Sequence, residues 1–271
     1  MSEAPLLEVD NLSVAMRRAV GPAKTVVDGV SFTVGRGEMV GLVGGSGSGK
    51  TTTMRSILNR LPRQGRVTGG EIRFEGRNLL ALPEGELRGI RGGRIAIIVQ
   101  NPIGALNPLR TVEDQLRRLG DQHGRSLSSG DVAARLRDVG ITDPSRVLRA
   151  YPHELSGGMA QRVLIAAALA LEPALILADE PTSALDVTIQ AQIMELLRGL
   201  VEERGVSIVF VTHDIALVAE YCERVVVMRT GEVVEQGPVR EVIHAPKHPY
   251  TVELVDSARP VQLVARDGGA A

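Results

Sequence analysis

Met39-Val40-Gly41-Leu42-Val43-Gly44-Gly45-Ser46-Gly47-Ser48-Gly49-Lys50-Thr51-Thr52 is the stretch on which the reading of this chain turns. Met39–Val43 is a short apolar run of strand type, Gly44–Thr51 fits G-x-x-x-x-G-K-[ST], and Thr51–Arg60 continues with a helical pattern. The order strand, glycine-rich loop, helix has a physical purpose. Glycines let successive N–H groups converge on phosphate oxygens, and the helix N-terminus adds its partial positive charge. On this reading Gly44, Gly45, Ser46, Gly47, Ser48, Gly49, Lys50, Thr51 and Thr52 line a phosphate cradle. Lys50 reaches the β- and γ-phosphates, and the Thr51 hydroxyl ligates Mg²⁺. The plainer alternative is a flexible Gly/Ser loop, which the flanking strand and helix argue against.

Working outward, Ile95–Val99, Ala174–Ala178, Ser207–Thr212 and Val225–Met228 are further continuous apolar runs. Strands apolar on both faces belong in a sheet covered on both sides, usually a parallel one. Met159–Leu171 and Ile189–Glu203 carry helical patterns between them, and the alternation predicts an α/β domain. Leu7–Val14 and Val26–Val34 alternate like half-exposed strands, and Gly70–Phe74 ends in a Glu75-Gly76 turn. These predict a small antiparallel β layer. From Asn101 to about Tyr151 the chain is polar, Arg-rich and helical, loosest at Gly124–Gly130. That predicts an inserted α-helical subdomain over about 101–158, within a domain spanning 5–260. Residues 261–271 are expected to be a frayed tail.

Composition narrows the class. With 44% hydrophobic and 23% charged residues, 271 residues suffice for a large core. A net charge of −1 removes the bulk electrostatic argument for a nucleic-acid binder. The longest apolar run, Val163–Leu171, has nine residues, whereas roughly 20 are needed to cross a bilayer. Met1–Asp10 is mixed and acidic, unlike a secretory leader. The single cysteine, Cys222, permits neither an internal disulfide nor a multi-cysteine metal site, and it reads as a small buried apolar residue in a cytoplasmic protein. Arginine supplies 28 of the 31 basic residues; the lysines are Lys24, Lys50 and Lys247. Six aromatics and no Trp complete the picture.

A phosphate cradle needs a second, acidic element. Ala174–Ala178 delivers Asp179 and Glu180 at its C-terminal end, where α/β sheets place ligands. Asp179 is the candidate Mg²⁺ ligand, and Glu180 the general base for an attacking water; two solvated acids at a strand end are the bland reading. Ser156, Gly157 and Gly158 open the helix over Met159–Leu171, so a hydroxyl and backbone N–H groups form an anion site there, or simply a serine N-cap.

Leu155-Ser156-Gly157-Gly158-Met159-Ala160-Gln161-Arg162 resembles the signature motif of ABC-type ATPases, and other elements follow in family order over roughly 7–260. The resemblance implies a P-loop NTPase (RecA-like) core with the antiparallel layer and the helical insertion. It also implies that Ser156, Gly157 and Gly158 bind the γ-phosphate of ATP held by an opposite subunit, so that a lone chain is an incomplete active site. Gln100 resembles the glutamine that senses Mg²⁺ and faces the membrane partner. Ser183-Ala184-Leu185-Asp186 resembles the loop that crosses the dimer interface, and His213 the switch histidine on the γ-phosphate. Each has a local alternative: a strand-end polar residue for Gln100, a helix cap for Asp186, and a cap of the helix opening at Asp214 for His213.

Asn101–Pro108, Tyr151–Met159, Asp186–Gln192 and Ala245–Thr251 are similar to the peptide/nickel import branch. That branch implies two membrane permease subunits, a second ATPase subunit (a heterodimer by preference) and, indirectly, an extracytoplasmic solute-binding protein, with no nucleic acid. Its ATPases lie at the cytoplasmic face of the cell membrane. Gly44-Gly45-Ser46 and the short C-terminus look most like nickel-import subunits. The family stacks adenine on an aromatic just after the first strand; that place falls near Met16, whose thioether packs but lacks a stacking face. His244 and His248 are separated by Pro246, which argues against a helical metal pair, and Arg88–Arg94 and Arg117-Arg118 are expected to be solvated faces. Soluble ABC ATPases acting on DNA or ribosomes are the other class weighed. They need long coiled coils or two such domains, whereas Lys50 and Ser156 here are 106 residues apart without sustained heptads.

Overall fold

The computed structural model describes residues 4–262. Along the chain, β1 (Leu7–Met16), β2 (Lys24–Val34) and β3 (Met39–Val43) lead into α1 (Lys50–Ile57). β4 (Gly65–Phe74), β5 (Arg77–Asn78), α2 (Glu84–Ile90) and β6 (Ile95–Ile98) follow. A helical run comprises α3 (Pro102–Ala105), α4 (Val112–Gln122), α5 (Ser129–Asp138) and α6 (Pro144–Arg149). Next come α7 (Gly157–Leu169), β7 (Leu175–Asp179), α8 (Val187–Arg204), β8 (Ser207–Thr212) and α9 (Ile215–Tyr221). The chain closes with β9 (Arg224–Arg229), β10 (Glu232–Pro238), α10 (Val239–His244) and α11 (Pro249–Gln262). Two compact units result: one holds the described residues up to Ala81 and from Val209 on, the other Leu82–Ile208.

In the first unit β2, β1, β4 and β5 form the expected antiparallel sheet in that order. Leu7 lies opposite Val34 on one side and Phe74 on the other. Leu7, Val9, Leu12 and Val14 are all buried although strict alternation would turn Leu12 outward. A register shift between Val9 and Leu12, where Asn11 takes φ 49°, restores them to one face. The same unit carries β10, β9, β3 and β8 as successive neighbours. β3 and β9 are parallel, Val40 opposite Arg224 and Val43 opposite Val227. Every residue of β3 is buried, as both-face apolar strands require. Helix α9 covers it so closely that a Cβ on Gly41 would lie 2.5 Å from Val218 Cγ1.

In the second unit β6 and β7 run parallel, Ile95 opposite Leu175 and Ile98 opposite Ala178. The expected helix over Met159–Leu171 starts and ends two residues earlier, because the Ser156 hydroxyl accepts from Met159 N–H and so opens α7 at Gly157. α4 and α5 have their own caps: Thr111 for α4, and a reciprocal Ser128/Asp131 capping box for α5. Arg117 and Arg118 pair with Glu113 and Asp114 one turn back and stay exposed. Arg91 departs from the solvated face expected for Arg88–Arg94: its side chain is 13% exposed, with Nη1 2.7 Å from Glu84 Oε1. Apolar stem burial beneath a charged head accounts for this.

Toward the C-terminus α10 and α11 are helices that hydrophobic pattern did not signal, since prolines and polar residues interrupt it. α11 runs through Gln262, so the first two residues of the expected frayed tail are helical; the rest of that tail lies outside the described residues. Among the described residues no helix is long and apolar enough to cross a membrane. Cys222 is buried at the end of α9, and that burial, with Glu223 beside it, pushes its thiol well above the ordinary range. A thiol held neutral is a poor nucleophile. Iodoacetamide at mildly alkaline pH is therefore expected to alkylate the folded protein roughly tenfold or more slowly than the urea-unfolded chain, as mass spectrometry over time will read.

Candidate nucleotide site

The first unit holds the glycine loop, and the cradle is built as its composition predicts. α1 opens after Gly49, whose φ of 103° suits glycine, with no side-chain cap and no acid in its first turn. A helix N-terminus without a capping side chain or a repelling carboxylate fits an anionic phosphate. Lys50 is 6% exposed, and its Nζ donates to Gly44 O at 2.6 Å and Gly45 O at 3.0 Å. A Cβ on Gly44 would lie 2.2 Å from Met228 O and 2.8 Å from Ser48 Oγ, so the loop backbone presses directly on β9. Behind it, the turn joining β9 to β10 buttresses the loop: Gly231 N–H donates to Ser48 O at 3.0 Å, and Asp28 N–H to Gly231 O at 2.8 Å.

His213 follows β8 directly and is exposed in the same unit. It does not cap α9; Asp214 does, accepting from Ala216 N–H at 2.9 Å, while Thr212 Oγ1 accepts from Asp214 N–H at 3.0 Å. The local alternative for His213 is thereby removed. Met16 closes β1 rather than following it, paired with Lys24 and Gly65, and a Cβ on Gly65 would lie 2.9 Å from its sulfur. Its thioether packs half-buried against the start of β4. His248 serves α11 locally, its Nδ1 accepting from Tyr250 N–H at 3.2 Å.

The second unit carries the acidic element. Asp179 ends β7, and Glu180 follows with φ 46°, the left-handed region that a non-glycine residue enters at a cost of about 1–3 kcal/mol. Glu180 O accepts from both Ser183 N–H and Ser183 Oγ, at 3.3 and 3.2 Å, which holds the turn. Gln100, one residue past the expected strand end, donates from Nε2 to Glu180 Oε2 at 3.1 Å. Thus the structure brings Gln100 and Glu180 together. It also brings the signature glycines onto the start of α8, where a Cβ on Gly158 would lie 2.9 Å from Ile189 Cγ2. Ser156 and Asp186 both cap helices here, Asp186 accepting from Ile189 N–H at 3.0 Å. A cap satisfies one donor and leaves the neighbouring N–H groups of that helix turn for an anion.

Sequence reasoning missed two supports of the loop: the β9–β10 turn, and Tyr250, whose hydroxyl accepts from Gly45 N–H at 2.7 Å. Tyr250 was noted only as part of a resemblance. No periodicity can signal a bond between residues 205 positions apart.

Comparison with known proteins gives the family. The family model for the ABC transporter matches residues 27–183. A probable peptide ABC transporter ATP-binding protein of Sinorhizobium fredii is 50% identical over 234 residues, 84% of this chain and 70% of that protein. The dipeptide transport ATP-binding protein DppD of Escherichia coli is 45% identical over 253 residues, 92% of this chain and 77% of that protein. Among solved structures, the dimeric post-hydrolysis state of the ATP-binding cassette MJ0796, bound to ADP and Pi, has a TM-score of 0.76 at 31% identity. It covers 86% of this chain and 99% of that one. The chain belongs to the ABC transporter family, and it is an ABC-type ATPase with a P-loop NTPase fold.

The contact of Gly44 with β9 gives a direct test. Gly44→Ala forces a methyl onto a backbone carbonyl and is expected to destabilise the protein by about 1–3 kcal/mol, lowering Tm by roughly 2–4 °C per kcal/mol. Calorimetry on wild type and variant will read it.

Proposed function

We propose that this chain is the ATP-hydrolysing motor subunit of an ABC importer for peptides. It works at the cytoplasmic face of the cell membrane with two permease subunits and a second ATPase subunit, in a heterodimer. The single observation that carries the reading is the Gln100 Nε2–Glu180 Oε2 hydrogen bond of 3.1 Å. It joins the proposed general base to the residue just before the helical run, in which Ile103 and Leu109 are 46% and 86% exposed. Apolar side chains left in water on the segment that follows Gln100 suit a partner that senses the state of the site. The peptide solute rests on the likeness to peptide and dipeptide transport subunits; nickel stays as the competing arm of the transport test.

Each residue has a stated task. The loop Gly44–Thr52 surrounds the phosphates and holds them by the backbone N–H groups beyond Gly45, and Lys50 moves from the loop carbonyls to offset charge on the γ-phosphate. Glu180 takes a proton from the attacking water. In the first unit Thr51 presents a hydroxyl oxygen, and in the second Gln100 and Asp179 present amide and carboxylate oxygens; each is a donor of the kind hard Mg²⁺ takes, and the ion when bound would neutralise charge on the phosphates. His213 contacts the γ-phosphate. Ser156, Gly157 and Gly158 act on ATP held by the other subunit, with Asp186 close to the interface and Met16 against adenine. ATP binding closes the dimer, and hydrolysis reopens it.

Lys50→Ala is expected to lower kcat for ATP hydrolysis by about 10²–10³-fold, since the loop loses its mobile positive charge; a wild-type rate in a phosphate-release assay would refute the cradle. Glu180→Gln is expected to hold ATP without turning it over and to accumulate as a dimer on size exclusion with ATP; elution as a monomer, with or without its native partner subunit, refutes the base assignment. Deletion of the chromosomal copy is expected to abolish growth on a dipeptide as sole source of a required amino acid while leaving nickel-dependent urease activity unchanged. The reverse result assigns nickel as the solute.

A further inference from the structure

Tyr250 sits at the second position of α11, and its hydroxyl oxygen lies 2.7 Å from Gly45 N. Gly45 N–H and Gly44 C=O are the two ends of one peptide group. The described chain has no cis bond, so the two point in opposite directions. On the oxygen end lies Lys50 Nζ at 2.6 Å. One peptide plane is therefore held from both sides, by an ammonium on its carbonyl and a phenol on its N–H. Hydrogen bonds at the two ends of an amide polarise it in the same sense and reinforce each other.

Tyr250 is itself held. The Arg229 guanidinium lies 4.9 Å from its ring centroid, in cation–π range. The start of α11 is pinned by Glu235, whose two oxygens accept from Lys247 N–H and His248 N–H, each at 2.9 Å. Burial alone raises the Glu235 carboxyl, but these two backbone bonds, together with the Thr251 side chain and the Lys247 charge, hold the group below the usual carboxylate range. Glu235 is thus charged at neutral pH. The contact with Gly45 is close by construction: a Cβ there would lie 3.2 Å from the Tyr250 oxygen.

We propose that Tyr250 is a positioning residue for ATP binding, clamping the Gly44–Gly45 peptide so that the cradle keeps its shape when Lys50 leaves for the phosphates. Without nucleotide, Lys50 and Tyr250 share the restraint. Once Lys50 turns to the γ-phosphate, the phenol is the side chain still holding that peptide, and the loop would otherwise relax at the expense of affinity. The inference rests on the reading of this loop as the ATP cradle, and it adds a residue from the far C-terminal end of the fold.

Tyr250→Phe keeps the ring and its stacking on Arg229 and removes only the hydroxyl. In the full chain, Kd for mant-ATP by fluorescence titration and KM for ATP are expected to rise roughly threefold to tenfold, the worth of one hydrogen bond, with kcat within about twofold and Tm unchanged. A merely structural role would instead lower Tm and kcat and leave KM in place, which overturns the proposal, as does an unchanged Kd. Lys50→Ala, measured in parallel, separates the two levels. If it hydrolyses ATP like wild type, the cradle reading itself fails, whereas a dead Lys50→Ala beside an unaffected Tyr250→Phe overturns only the clamp.

Discussion

A phosphate-binding loop has to offer its N–H groups to a ligand, so its shape must be held by other means. Here that constraint falls on the backbone between Gly44 and Gly49. Gly44 has no room for a Cβ against Met228 O, and Gly231 N–H grips Ser48 O. Lys50 folds back onto two loop carbonyls, and Tyr250 takes the Gly45 N–H. None of these restraints occupies the start of α1, which has no side-chain cap. The start of α1 stays open to an anion because Gly44, Gly45 and Ser48 are anchored elsewhere, to β9, to α11 and to the β9–β10 turn. Buried β3 and the parallel β3–β9 pairing, in turn, keep those anchors in register.

The second unit solves a related problem with side chains. Two adjacent acids, Asp179 and Glu180, leave the end of β7, where alternation would turn successive side chains to opposite faces. Glu180 instead takes a left-handed backbone conformation, and the Ser183 hydroxyl and N–H return to its carbonyl. The strain is local and is offset by those bonds and by the Gln100 amide on the carboxylate. A polar residue at the end of one strand thus orients an acid at the end of its parallel neighbour. Close packing of Gly158 on Ile189 couples the start of α7 to the start of α8 in the same unit.

Much of this was legible in the chain. β3 and β8 lie where apolar runs placed them, residue for residue, because a strand buried on both faces leaves an unbroken signal. The P-loop was legible for a different reason: glycine spacing, lysine and threonine are all consecutive, so the chemistry is local. Boundaries moved where caps decide them, as at Ser156 and Asp186, which start α7 and α8 two residues earlier than the pattern does. Arg91 was misread because charge alone does not reveal that its stem is buried beside Glu84. α10 and α11 carry prolines and weak periodicity, so their helices depend on what they pack against.

By itself the sequence determined the α/β class, the order of the core apolar strands and the helices between them, and the residue types able to bind phosphate, ligate a metal and take a proton. These follow from periodicity, glycine spacing and side-chain chemistry over a dozen residues at a time. Tertiary structure alone decided which of them meet. Gln100 reaches Glu180 across 80 positions, and Tyr250 reaches Gly45 across 205. Such bonds have no local pattern: they form only when the apolar strands have collapsed into their sheet and brought distant polar groups within 3 Å or so of one another.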